Sequence, residues 1–151
     1  MNMIMTQEDK ELLIKDLCAR LPYGVKLKKN YGDNTTVELY GIDVDKNTIN
    51  ICEFKGKSIT VCDNNIPLFL AMVKSRYLPY LFPLSSMTAE QKKEYDKIIY
   101  KSIELHHREY SDIVEIDLFD NLQDFYCKNH LDYRGLIEKG LAIDATDKNI
   151  Y

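Results

Sequence analysis

Three residues near the end of the chain carry the functional groups of a thiol enzyme at close spacing. Cys127 and His130 lie three apart, which can bring a thiol and an imidazole together near a helix end. Asp132 stands two residues further on, where a carboxylate could orient the ring, so the trio is the candidate catalytic set. Against it, the nucleophile and base of thiol enzymes usually meet through the fold rather than within one short segment. A cysteine that follows Phe125 and Tyr126 is also an ordinary small core residue. A second group, His106 and His107 flanked by Glu104, Glu109 and Asp112, holds side chains able to bind a metal. Neighbouring helical residues point about 100° apart, so two adjacent imidazoles do not easily share one ion. The H-E-x-x-H pattern is absent, and the stretch reads as a solvated, charged helix end with no metal.

Lys26, Lys28 and Lys29, with Tyr23 and Tyr31 nearby, form the candidate nucleic-acid surface. Basic and aromatic side chains on a curved sheet can follow a phosphate backbone and stack bases. Asp33 and Glu38 lie close by, however, and edge lysines have the simpler role of discouraging unwanted strand pairing. Tyr133 and Arg134 are the remaining candidate binding residues. The net charge of −4 also argues against a duplex-binding protein, which usually shows a basic stripe. Nucleic acid is therefore the less favoured partner, behind a protein partner or a homo-oligomer. No phosphate-cradling glycine motif, nucleophile elbow or paired-carboxylate motif is present, and no cofactor is implied.

The elements that must position these groups follow from patterning. A hydrophobic share of 45% is too high for a disordered chain, and 151 residues fit one domain. We read a single α+β domain over 1–151, with a β-rich part at about 1–84, a helical part at about 85–144 and a polar tail at 145–151. Thr6 and Asp9 open a helix over Gln7–Arg20, whose stripe is Leu12, Leu13, Leu17 and Leu21, with Lys10, Lys15, Asp16 and Arg20 mostly on other faces. Short strands follow, separated by turns at Asn30–Asn34, Asp45–Asn47 and Lys55–Lys57. In Thr35–Val44 the apolar parity switches at Gly41, so a β-bulge there would return Val37, Leu39, Ile42 and Val44 to one face. The result is a strongly curved antiparallel sheet, either open or closed as an SH3-like small barrel.

Asp63-Asn64-Asn65 ends the strand pattern, Ile66–Val73 leans towards a short helix, and Tyr80–Pro83 reads as a last strand at a sheet edge. Thr88 and Gln91 then cap a helix over Ala89–His106 with a stripe of Tyr95, Ile98, Ile99, Ser102 and Ile103. His107–Glu115 is a charged loop, Asp117 caps a third helix, and Asp132 caps a short fourth that ends at Gly140. Leu141–Ile143 returns as a strand, and the tail frays. The stretch Tyr80–Tyr95 joins the two halves and is expected to be buried between them.

The eleven tyrosines, with no tryptophan, hint at a binding surface. Four cysteines without C-x-x-C spacing read as reduced thiols in a cytoplasmic protein. The first residues show no signal-peptide pattern, and Ile66–Val73 is far short of the roughly 18 residues that a membrane span needs.

Three stretches carry a resemblance: LLIKDLCARLPYGVKLK, YLPYLFPLSSMTAEQKKEY, and Asn129–Ala142 (NHLDYRGLIEKGLA). They resemble blocks of a family of small uncharacterised proteins from Bacteroides-type gut bacteria, associated with prophage and mobile elements. The resemblance brings no activity, cofactor or catalytic residue. Within its last block, Arg134 can pair with Glu138, and Gly135 inside a helix suggests close approach of another backbone. The expectation is a non-enzymatic accessory or protein-interaction module. A nucleic-acid-binding small barrel is the alternative, and a Cys-dependent enzyme comes third.

Overall fold

In the computed structural model, residues 5–30, 35–46, 48–55, 58–67, 77–106 and 111–151 are described. The first helix, α1 (Gln7–Arg20), starts at a reciprocal cap. The Thr6 hydroxyl accepts from the Asp9 amide at 3.1 Å, and the Asp9 carboxylate accepts from the Thr6 amide at 3.1 Å. A 3₁₀ turn, Leu21–Tyr23, ends at Gly24 with φ of 74°, where glycine reverses the chain without a Cβ penalty.

Six strands follow: β1 (Lys26–Lys29), β2 (Thr36–Asp43), β3 (Thr48–Lys55), β4 (Ser58–Pro67), β5 (Tyr77–Leu81) and, far along the chain, β6 (Ile143–Asp144). They lie in the order β4-β3-β2-β1-β5-β6. All neighbours are antiparallel except β5 and β6, so the sheet is mixed. β4 and β6 are its two separate edges among the described residues, so the sheet stays open and the small-barrel expectation is not met.

The bulge is where parity placed it: the β2–β3 register shifts between Leu39 and Gly41. A Cβ at Gly41 would stand 3.0 Å from Nδ2 of the Asn50 side chain, so glycine also relieves crowding there. Val37 and Leu39 are buried and Ile42 packs against the core, but Val44 falls in the turn and is exposed. The strand predicted to end at Cys62 continues to Pro67, because pairing with β3 through two further register shifts outweighs the turn preference of Asp63-Asn64-Asn65. Ile66 and Pro67 are therefore strand, and the rest of the Ile66–Val73 stretch lies outside the described residues. β5 is not an edge, since β1 flanks it on one side and β6 on the other.

One face of the sheet packs on α1 and the C-terminal segment. Leu13 and Leu17 of α1, Val25, Leu27, Val37, Leu39, Ile49, Ile51, Tyr77 and Leu81 around the sheet, and Leu136, Leu141 and Ala142 form one core. Cys52 is disulfide-bonded, with Cys62 directly across from it in the β3–β4 register. This corrects the expectation of four reduced thiols, while Cys18 and Cys127 are free.

α2 (Ala89–His106) has the predicted bounds and cap, with the Thr88 amide donating to the Gln91 side-chain oxygen at 2.8 Å. α3 (Ser111–Lys128) starts six residues before the expected Asp117 cap, so Asp117 is interior and much of the expected loop is helix. The fourth helix does not form. Residues 133–140 are turns, and Gly135 and Gly140 both have φ of 69°. Asp132 does cap this segment, accepting from the Leu136 and Ile137 amides at 2.8 Å each.

Nothing lies within 4 Å of a Cβ built at Gly135, so its glycine answers to backbone sign and not to close packing. Gly135→Ala is accordingly expected to destabilise the protein by about 1–2 kcal/mol in urea unfolding, with Gly135→Asn recovering much of the loss. An alanine variant as stable as the parent would contradict this. The expected Arg134–Glu138 pair is replaced by Arg134 to Asp16 at 3.2 Å. The joint Tyr80–Tyr95 is buried only at its strand end: Tyr80 and Leu81 are inside, whereas residues 88–90 are exposed.

Candidate functional site

Positions 13, 16, 17 and 20 share one face of α1, and all four are buried. That face therefore takes a carboxylate and a guanidinium into the core with its two leucines. Arg20 donates to Asp16 through Nε at 2.7 Å and through Nη2 at 3.1 Å, and both side chains are fully buried. Nη2 also donates to the Leu131 carbonyl at 2.7 Å, which ties α1 to the segment after α3. Arg134 Nε lies 3.2 Å from Asp16 Oδ1, the oxygen that Arg20 Nη2 also reaches. The Tyr133 ring lies near both cations, with the Arg20 and Arg134 guanidinium carbons 5.4 and 4.6 Å from its centre. Tyr133 also stacks on Tyr126 at 4.9 Å, and Tyr126 adjoins Tyr95 and Phe125, so an aromatic row links the cluster to α2. Burial pushes the Tyr133 and Tyr126 phenols up to about 12.

Cys127 sits against this cluster and is buried. Burial pushes its thiol up, the Arg20 charge offsets this only in part, and its hydrogen-bonding neighbour is Tyr133. A thiol held protonated in this way is a poor nucleophile at neutral pH. His130 follows in the left-handed region with φ of 53°, and its backbone amide donates to the Cys127 carbonyl at 3.1 Å. Its ring turns elsewhere: it stacks on Tyr151 with centroids 3.6 Å apart and 13° between planes. Nδ1 is buried with no hydrogen-bond partner, and burial, then the charges of Arg20 and Lys26, bring the imidazole down to about 4. Asp132 spends both oxygens on the turn amides. The three residues thus share a segment while serving three separate environments, and the geometry gives Cys127 neither a base nor an oriented imidazole.

The lysines divide as well. β1 is interior to the sheet, which removes the edge role expected for them. Lys26 pairs with Glu38 at 2.8 Å, and strand alternation sends Lys29 to the opposite face from Lys26 and Lys28. Tyr23 donates its hydroxyl to Asp124 of α3, and Tyr31 lies outside the described residues. A shallow cleft of about 270 Å³ between these elements is lined by Ala19, Pro22, Tyr23, Asp120, Asp124 and Cys127 among others, an acidic rim unsuited to phosphate. Glu104 is exposed on α2, while His107 and Glu109, and the side chains of His106 and Asp112, lie outside the described set. No group of three or more His, Cys, Asp and Glu among the described residues is placed to hold a metal ion.

Patterning missed Asp16, Arg20 and Tyr151. The first two had a signal, their i, i+3, i+4, i+7 relation to Leu13, which polar identity masked. The tail expected to fray is instead anchored: the Ala145 amide donates to the Leu81 carbonyl at 2.8 Å, and the Tyr151 hydroxyl donates to the Tyr80 carbonyl at 2.9 Å. No described helix is long and apolar enough to cross a membrane. Comparison with protein-family models, curated proteins and solved structures found no match to this chain.

Proposed function

We propose that the chain is a non-enzymatic accessory protein that binds a protein partner through the α2–α3 hairpin. The observation that carries this reading is an apolar stripe without enough cover. No described side chain of α2 is buried, and Ile103 from the expected stripe is 48% exposed. Tyr100 and Phe119, exposed by 69% and 70%, stand on the same hairpin with Leu105. A shallow cleft of about 230 Å³ between the helices, lined by Ile98, Lys97, Lys101, Leu105 and Asn121, gives the surface relief. Large exposed aromatic and aliphatic groups rimmed by charge suit a protein interface. The buried ion pair and aromatic row supply the rigid mount. A prophage or mobile-element setting, with the module acting in the cytoplasm, is the part of this reading that rests on the resemblance to Bacteroides-type proteins. The Cys52 bond pulls against that compartment, where thiols are kept reduced.

A photo-reactive phenylalanine analogue at position 119, introduced in the producing cell, is expected to give one defined adduct, a partner or a second copy. The adduct should vanish when Tyr100 and Ile103 are changed to Asp, and the analogue at position 40 should give none. Equal yields from positions 119 and 40, or adducts indifferent to the Asp changes, would sink the proposal.

A further inference from the structure

Tyr151 occupies a notch built from four elements. Its ring lies flat on His130 and 5.9 Å from Phe82. Its hydroxyl accepts from the Lys26 amide of β1 at 3.1 Å and donates to the Tyr80 carbonyl of β5 at 2.9 Å. The β1–β5 register, which pairs Leu27 with Pro79, sets Lys26 opposite Tyr80 as its next step. The phenol thus inserts between two strands as a rung, where amide and carbonyl would otherwise face each other. The notch asks for a group that accepts and donates at one atom, at the tip of a flat ring. A phenol meets that demand; a phenyl ring lacks the atom, and a phosphorylated tyrosine lacks the proton.

The strap that delivers Tyr151 is held at its two ends, Ala145 and Tyr151, and lies open between them. Asp147 and Asn149 both sit in the left-handed region, at φ of 64° and 44°, which aspartate and asparagine adopt more readily than other residues with a Cβ. Residues 146–149 are exposed, and a cavity of about 250 Å³ remains between Asn149, Ile150 and the strands at Lys26, Thr36, Val37 and Glu38. Beneath the ring, the unpartnered Nδ1 of His130 is a polar atom that closure of the strap leaves unsatisfied. The side chain is well placed while its tether is exposed and poorly packed, as befits a segment that exchanges.

We propose that the 145–151 strap is a releasable occupant, and that the notch of His130, Phe82, Lys26 N–H and Tyr80 C=O binds a tyrosine-bearing peptide segment of a partner protein in its place. This site is separate from the hairpin surface, and neither reading depends on the other.

The test uses the Tyr151→Ala variant of the 151-residue chain and a fluorescent peptide of sequence DATDKNIY, followed by anisotropy. Saturable binding is expected. The wild type should bind at least about tenfold more weakly, because its own strap competes at an effective concentration in the millimolar range. Replacing the peptide's tyrosine by phenylalanine should weaken binding about tenfold or more, and phosphotyrosine should abolish it. A folded variant that ignores the peptide, or one that binds the phenylalanine peptide equally well, overturns the proposal. Native-state hydrogen exchange on the wild type decides independently of how the variant folds. The Lys26 amide is expected to exchange by local opening, below the free energy of global unfolding; exchange only through global unfolding overturns the proposal as well.

Discussion

Asp16→Ala is expected to destabilise the protein by about 3–5 kcal/mol in urea unfolding, a large part of the 5–15 kcal/mol that typically separates native from unfolded domains. The size follows from what the change leaves behind. Arg20 is fully buried, cannot shed its proton, and already has one nitrogen, Nη1, without a partner. Without Asp16, the Leu131 carbonyl and the Tyr133 ring would remain to it but no counter-charge, with the cation of Arg134 close by. Arg20→Ala should cost less, nearer 3 kcal/mol, because Asp16 would keep Arg134 as a partner. The double change Asp16→Leu with Arg20→Met removes both charges and refills the space. It should come out well above the Asp16→Ala single, since a buried pair is often worth little more than apolar side chains of the same volume. A loss under about 1 kcal/mol for Asp16→Ala would mean that the pair is hydrated and does not tie α1 to the C-terminal segment.

The same physical line separates the features that were legible in the sequence from those that were not. Local rules were legible: the caps at Thr6 and Thr88, the bounds of α1 and α2, and the bulge at Gly41 all depend on residues within a few positions of one another. What failed depended on distant partners. Asp63-Asn64-Asn65 became strand because β3 was there to pair with it. The expected fourth helix gave way to turns because glycine at 135 permits a positive φ that closes the segment onto Asp132. The charged cluster was invisible for the same reason, since Asp16 and Arg134 meet only in the fold. Spacing did assemble Cys127, His130 and Asp132 as one set, yet sequence proximity says nothing about where each side chain turns. Three stretches far apart in the chain also converge: α1 meets the segment after α3 through Arg20 and Leu131, and Phe82 exchanges backbone hydrogen bonds with His130 and Asp132.

Stability should fall by about 3 kcal/mol through His130 alone as the pH drops from above 6.5 to 4, the interval between its ordinary and its folded-state values. The sign follows from proton counting. In the folded protein the imidazole is brought down to about 4 by burial and by Arg20 and Lys26, whereas in the unfolded chain it titrates near its ordinary value of 6.5. Between those two values the unfolded state holds the extra proton, so stability rises with pH. The contribution is complete above 6.5 and is lost progressively on acidification until the folded-state value is passed. His130→Asn isolates it, because asparagine tolerates the φ of 53° at this position and does not titrate. Carboxylates shared by both proteins cancel in the difference. Unfolding free energies of wild type and variant, measured in urea from pH 4 to 7.5, should therefore converge or cross towards acid and separate towards neutrality. Parallel curves would place the ring in water. In that case the flat stack under Tyr151 would also be gone, because protonating a buried imidazole there means lifting the strap that covers it.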